Sequence, residues 1–150
     1  MNWKPNVTVA AVIENDGKFL CVEEVTDDGV RFNQPAGHLE CREALTEAVI
    51  REVLEETGYS FAPEALVGIY NWRNEARDIT YLRFVFTGRA TGHDAARPLD
   101  EGIIAARWLT LAELRERQAQ LRSPMVLQCV EDWCAGKRAP LDLITHYPCR

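Results

Sequence analysis

The side chains best equipped for chemistry are Glu52, Glu55 and Glu56, spaced i, i+3 and i+4. On a helix, at about 100° per residue, they fall within an arc of roughly 100°. That arc borders an apolar side made by Val49, Ile50 and Val53, so it is not a fully solvated face. Glu52 and Glu56 are like charges one turn apart, which costs roughly 0.2–0.5 kcal/mol even in water. Both crowd a helix C-terminus, where the dipole disfavours negative charge. Local conflicts of this kind concentrate at functional sites. A hard divalent cation with oxygen ligands would relieve all of them. The bland alternative is a solvated acidic face, neutralised by Arg51 and Arg42.

The element that must carry these carboxylates is legible. No Gly or Pro interrupts the stretch from about Arg42 to Thr57, and Gly58 supplies a C-terminal stop, so a helix is predicted over 42–57. Upstream, Val7 to Ile13 reads as a buried strand. The turn Asn15-Asp16-Gly17 then returns the chain as Lys18 to Val25, which predicts a hairpin. A second turn, Asp27-Asp28-Gly29, precedes an extended piece, Val30 to Asn33, that leads into Gln34-Pro35-Ala36-Gly37.

Downstream, Leu66 to Arg73, Ile79 to Ala90 and Ala105 to Leu109 read as strands. In the second of these Leu82, Phe84 and Phe86 alternate with Tyr81, Arg83 and Val85. Thr91 to Gly102 is polar and loop-like. Thr110 and Glu113 form a capping-box pattern for a helix to about Leu121. Ser123-Pro124 opens a last helix with Val126, Val130, Trp133 and Cys134 on one stripe. Strands placed before and after a central helix predict an α/β fold with a mixed sheet and helices on both faces.

Length and charge narrow the function. A chain of 150 residues is one ordinary domain, taken here as 1–150. With 47% hydrophobic and 27% charged residues it has the makings of a packed core. Seventeen Lys and Arg against 23 Asp and Glu give a net charge of −6, the wrong sign for a nucleic-acid partner. An acidic protein acting on an anionic substrate needs a bridging cation. The apolar run Val7 to Ile13 is too short to span a bilayer and lacks the shape of a signal peptide, so no membrane partner is expected. Five cysteines, with no CxxC pair, read as reduced thiols in the cytoplasm, and Cys21 and Cys129 read as small packed side chains.

The helix and its approach also match a family pattern. Gly37, five residues, Glu43, seven residues, then Arg51-Glu52-Val53-Leu54-Glu55-Glu56-Thr57-Gly58-Tyr59 resembles the Nudix box. Chance agreement at Gly37, Glu43, Arg51, Glu52, Glu55, Glu56 and Gly58 is on the order of 10⁻⁸ per start site from average residue usage. Tyr59 departs from the aliphatic residue preferred there, at a position that supports packing. Asn33-Gln34-Pro35-Ala36-Gly37-His38-Leu39-Glu40 and Leu121-Arg122-Ser123-Pro124 are similar to the NudJ-type phosphatases of that family. His38 after Gly37, in place of a second glycine, fits that subgroup.

The resemblance implies a Nudix-like α/β/α sandwich. It also implies a Mg²⁺-dependent pyrophosphohydrolase, with Mn²⁺ as the other ion. The implied substrates are nucleoside di- and triphosphates or thiamin-pathway pyrophosphates (hydroxymethylpyrimidine pyrophosphate, thiamin pyrophosphate). Glu55 and Glu56 would ligate metal, Glu52 would be a ligand or the base, and the Gly37 carbonyl could complete the shell. Glu43 would pair with Arg51 and hold the preceding loop against the helix.

A base outside the box is also expected, from Asp100 or Glu101, with Glu101 preferred. Arg83, a charge in an apolar strand, suits fork-like recognition of phosphate. Arg122 beside a helix start could assist. Asn33 is taken as a further substrate contact, and Trp72 could stack a ring. His38 reads as a hydrogen-bonding residue, and nothing is assigned to His93 or His146. The partner is a small phosphoanhydride, and the chain is a monomer or homodimer. Alternatives are action on oxidised nucleotides, ADP-ribose or dinucleoside polyphosphates, a ligand-sensing Nudix domain without turnover, and an acidic helix face that binds a basic partner.

Overall fold

A computed structural model describes residues 2–149. Along the chain run β1 (Asn6–Val12), β2 (Glu14–Asn15), β3 (Lys18–Thr26), β4 (Gly29–Asn33), β5 (Ala36–His38) and α1 (Leu45–Thr57). There follow β6 (Tyr59–Asn74), β7 (Ile79–His93), β8 (Ile103–Thr110), α2 (Leu111–Glu116), α3 (Pro124–Cys134) and β9 (Ala139–Pro140).

β1 is apolar on both sides because both are buried. Val9 and Ala11 meet one core, and Ala10 and Val12 meet the other. It sits inside a mixed sheet ordered β5-β1-β7-β6-β9, parallel to β7 and antiparallel to β5. On one face α1 packs Ala48, Val49 and Val53 with Val9, Ala11 and Phe86. On the other, α3 packs Met125, Cys129 and Val130 with Ala10, Val12 and Val85. This is the expected α/β/α arrangement. A second sheet centres on β3, with β8 along one edge and β2 and β4 sharing the other.

Several local expectations change. The Asn15–Gly17 turn joins β2 to β3, not β1 to β3. Both edges of β1 are taken by β5 and β7, so the returning chain must leave for the other sheet. The helix begins at Leu45 rather than Arg42, because Arg42 adopts φ 68°, outside helical space. β6 runs through Pro63, with register shifts on either side of Ala65, and β7 continues to His93.

α2 stops at Glu116 and a 3₁₀ turn, Gln118–Gln120, replaces its end. Leu121 there bridges to Phe32, and the Arg122 N–H donates to the Phe32 carbonyl at 2.8 Å. Ser123 caps α3, its hydroxyl accepting from the Met125 N–H. Cys134 is exposed, and Cys129 holds the buried place on the stripe with Val126 and Val130.

Candidate active site

The last turns of α1 carry the glutamates toward two different settings. Ligand oxygens of Glu52, Glu55 and Asp100 lie within 4.8 Å of one another. Asp100 arrives from the β7–β8 loop, which is pinned to the helix end by its N–H donating to the Glu55 carbonyl at 3.0 Å. Glu101, the residue preferred from sequence, is exposed and stands outside this group. Of the two candidates weighed, Asp100 is the one that stands in the group.

Glu56 turns toward β5, and its carboxylate accepts the Ala36 N–H at 2.8 Å. Burial raises its carboxyl to about 9, helped by the charges of Glu52, Glu24 and Asp100 and opposed by the Ala36 bond. Burial raises Glu52 as well, and Arg51 partly offsets it.

Arg51 ties the helix to the loop before it. It grips Glu43 through Nε at 2.7 Å and Nη2 at 2.9 Å, and its Nη1 donates to Glu52 at 2.7 Å and to Glu55 at 3.2 Å. Nη2 also donates to the His38 carbonyl at 3.0 Å. The guanidinium holds the Glu43 carboxyl below the usual carboxylate range. Glu43 precedes α1, so the pair joins loop to helix rather than lying along one helical face. A solvated acidic face does not describe Glu52, which is 8% exposed. Gly37 pairs with Val9 on the sheet and faces Glu52 so closely that an added Cβ would overlap the carboxyl group.

Beyond Gly37 a cleft of about 400 Å³ opens. Its lining includes Glu52, Glu56 and Gly37 together with Arg83, Arg122, Asn33 and Trp72. Arg83 is buried, pairs in register with Thr8, and donates through Nε to the Thr8 hydroxyl at 3.3 Å. Among the described residues its Nη1 has no hydrogen-bond partner. Burial weakens the guanidinium's hold on its proton. An anion supplied from the cleft would satisfy both conditions.

The Asn33 amide donates to Glu24 at 3.5 Å, and among the described residues its Oδ1 has no partner. Arg122 is held by Glu24 at 2.7 Å. Trp72 stacks on Tyr81, with ring centroids 5.8 Å apart and planes 14° apart. Arg51, Glu43 and Glu55 support the cleft from outside its lining. Glu24 and Thr8 were not singled out from sequence. A glutamate in the apolar run of β3 was the one available signal, and nothing distinguished Thr8 before its register with Arg83 was known.

The donor set fits a hard divalent cation. The grouped ligand atoms of Glu52, Glu55 and Asp100 are all carboxylate oxygens, and Glu56 on the same helix sits where negative charge is otherwise unfavourable. One consequence is measurable without substrate. The folded Glu56 carboxyl titrates near 9 against an ordinary 4.5, so between those values the folded state keeps a proton that the unfolded chain has released. Stability of the metal-free protein therefore falls as pH rises through that window. In EDTA, Tm is expected to drop between about pH 6 and about pH 8, and to drop less in Glu56→Gln. Equal pH slopes in the two proteins would show that Glu56 titrates normally.

Fold and site together define a class. The NUDIX domain family model matches residues 3–129, and the chain belongs to the Nudix hydrolase family. It is 41% identical over 146 residues to the phosphatase NudJ of Escherichia coli K12, covering 97% of this chain and 94% of NudJ. NudJ of Shigella flexneri gives the same figures: 41% identity, 97% and 94%. A solved NUDIX hydrolase from Nitrosomonas europaea superposes with a TM-score of 0.94 at 54% identity, over 96% of this chain and 98% of that one. The protein is a hydrolase acting on phosphoanhydrides, and its substrate is a small phosphorylated molecule. Among the described residues no helix is long and apolar enough to cross a membrane.

Proposed function

We propose that the protein is a Mg²⁺-dependent pyrophosphohydrolase of NudJ type, with Mn²⁺ as a competent substitute, working as one domain over 1–150 in the cytoplasm. It cleaves the diphosphate linkage of nucleoside di- and triphosphates and of thiamin-pathway pyrophosphates by water attack at phosphorus. The observation that carries this reading is one cleft holding both the carboxylates Glu52 and Glu56 and the buried Arg83, whose Nη1 has no partner among the described residues. Such a cleft grips a substrate with more than one phosphoryl group.

Glu52, Glu55, Glu56 and Asp100, with the Gly37 carbonyl, would hold the cation. When bound, it neutralises phosphoryl oxygens and acidifies water. The chain's own residues do the remainder. Arg51 fixes Glu52 and Glu55 in position and locks Glu43 against them. The Ala36 N–H fixes Glu56. Glu52, whose carboxyl burial raises, is the base for the attacking water where it does not ligate the cation, and Asp100 stands beside it. Arg83 holds a phosphoryl oxygen through its Nη1, and Asn33 and Arg122 contact the rest of the phosphate chain. Trp72 contacts the organic moiety.

A substrate panel with products resolved tests the proposal. Nucleoside di- and triphosphates, thiamin pyrophosphate and hydroxymethylpyrimidine pyrophosphate are expected to be hydrolysed, and phosphate monoesters only weakly. ADP-ribose, oxidised nucleotides and dinucleoside polyphosphates complete the panel. Preference for a monoester over every diphosphate would overturn the reading, and exclusive use of the last three compounds would replace its substrate class.

A further inference from the structure

A second hollow of about 740 Å³ lies beside the cleft, between α2, α3 and β6. Trp72, Arg122 and Ser123 line both spaces, so the hollow is continuous with the candidate active site. Its volume is within the roughly 300–1,000 Å³ of small-molecule sites. Tyr81 stacks with Trp72 and lines only the cleft, whereas Trp72 lines the hollow as well. Leu121 and Leu127 extend the apolar surface beside it.

The charges divide the two spaces. In the hollow Arg115 is engaged by Glu131 at 3.4 Å, and Arg122 is engaged by Glu24 at 2.7 Å. Arg83, whose buried Nη1 has no partner among the described residues, lines the cleft with Arg31 and Arg77, and none of the three lines the hollow. Phosphates are thus drawn to the cleft, and the hollow suits an uncharged ring.

We propose that the hollow is the base site: it receives the base of a nucleotide substrate, stacked on Trp72, while the phosphates lie in the cleft between Arg83 and the carboxylates. This rests on the pyrophosphohydrolase reading and adds where the non-reacting end binds. Stacking is tolerant of base identity, so purine and pyrimidine nucleotides are accepted alike.

The test compares ADP with base-free ribose 5-diphosphate, using the full chain with Mg²⁺. Gln118 is exposed and lines only the hollow, so Gln118→Trp narrows it from the rim. The ratio of KM for the base-free compound to KM for ADP is expected to fall by about tenfold or more in this variant, with kcat for ADP retained. Trp72→Leu should lower the ratio in the same direction. An unaltered ratio in both variants would overturn the base site while leaving the hydrolase reading intact, because both compounds would still be cleaved. If wild type cleaves neither compound, the hydrolase reading falls and the base site falls with it.

Discussion

Excess EDTA is expected to abolish turnover, by about three orders of magnitude or more, and added Mg²⁺ to restore it. The argument is electrostatic. An anionic substrate entering the cleft meets Glu52 and Glu24, and its charge further disfavours the ionised form of Glu56, which burial already holds protonated and a cation would ionise. Two like charges about 4–5 Å apart repel by roughly 3–4 kcal/mol at an effective dielectric near 20. One such contact weakens transition-state binding by more than a hundredfold, and this site has several. Arg31, Arg77, Arg83 and Arg122 also line the cleft, but Arg77 is engaged by Asp27 and Arg122 by Glu24, which reduces what they can offset. The measurement is phosphate release in EDTA, followed by titration with Mg²⁺ and Mn²⁺. Full turnover in excess chelator would remove the metal role from Glu52, Glu55 and Glu56 together.

Glu56→Gln is expected to lower kcat by about 10²–10³, the range found when a charge-stabilising group is removed. Glu56 is chosen over Glu55 for its surroundings. Glu55 is half-buried and already shares Arg51, so part of its charge is neutralised within the protein. Burial holds the Glu56 carboxyl well above its ordinary range, and among the described residues no side-chain cation bonds it; it accepts the Ala36 N–H. The amide keeps the shape and can still accept that N–H, so the fold should hold. Circular dichroism and a thermal melt check that point, and steady-state kinetics with Mg²⁺ check the rate. Glu101→Gln serves as the matched control on an exposed acid and should stay near wild type. Near wild-type turnover in Glu56→Gln would displace Glu56 from the catalytic set.

The choice of Glu56 shows what sequence alone could not rank. Three glutamates at i, i+3 and i+4, an apolar side beside them and a glycine stop are local facts, readable because a helix repeats every 3.6 residues. The same local logic gave the Ser123-Pro124 start of α3 and the alternation of Phe84 and Phe86 with Val85 along β7. Identification with the Nudix family also lay in the sequence, because the box residues sit at fixed spacings within one helix and its approach.

Other features waited for contacts between distant segments. Asp100 and Glu101 are adjacent and chemically similar, and only the tertiary structure decides which one joins the cluster. Arg83 was an anomaly in an apolar strand. Its role depends on β7 lying parallel to β1, which sets it opposite Thr8, with Nη1 unpartnered among the described residues. The misplaced hairpin has the same origin. A turn sequence shows that the chain reverses but not which strand edge is free to receive it, and both edges of β1 are occupied by strands that come later in the chain. Side-chain type and helical period are properties of neighbours along the chain, whereas strand partnership, burial and the depth of a carboxylate are set by residues far apart in it.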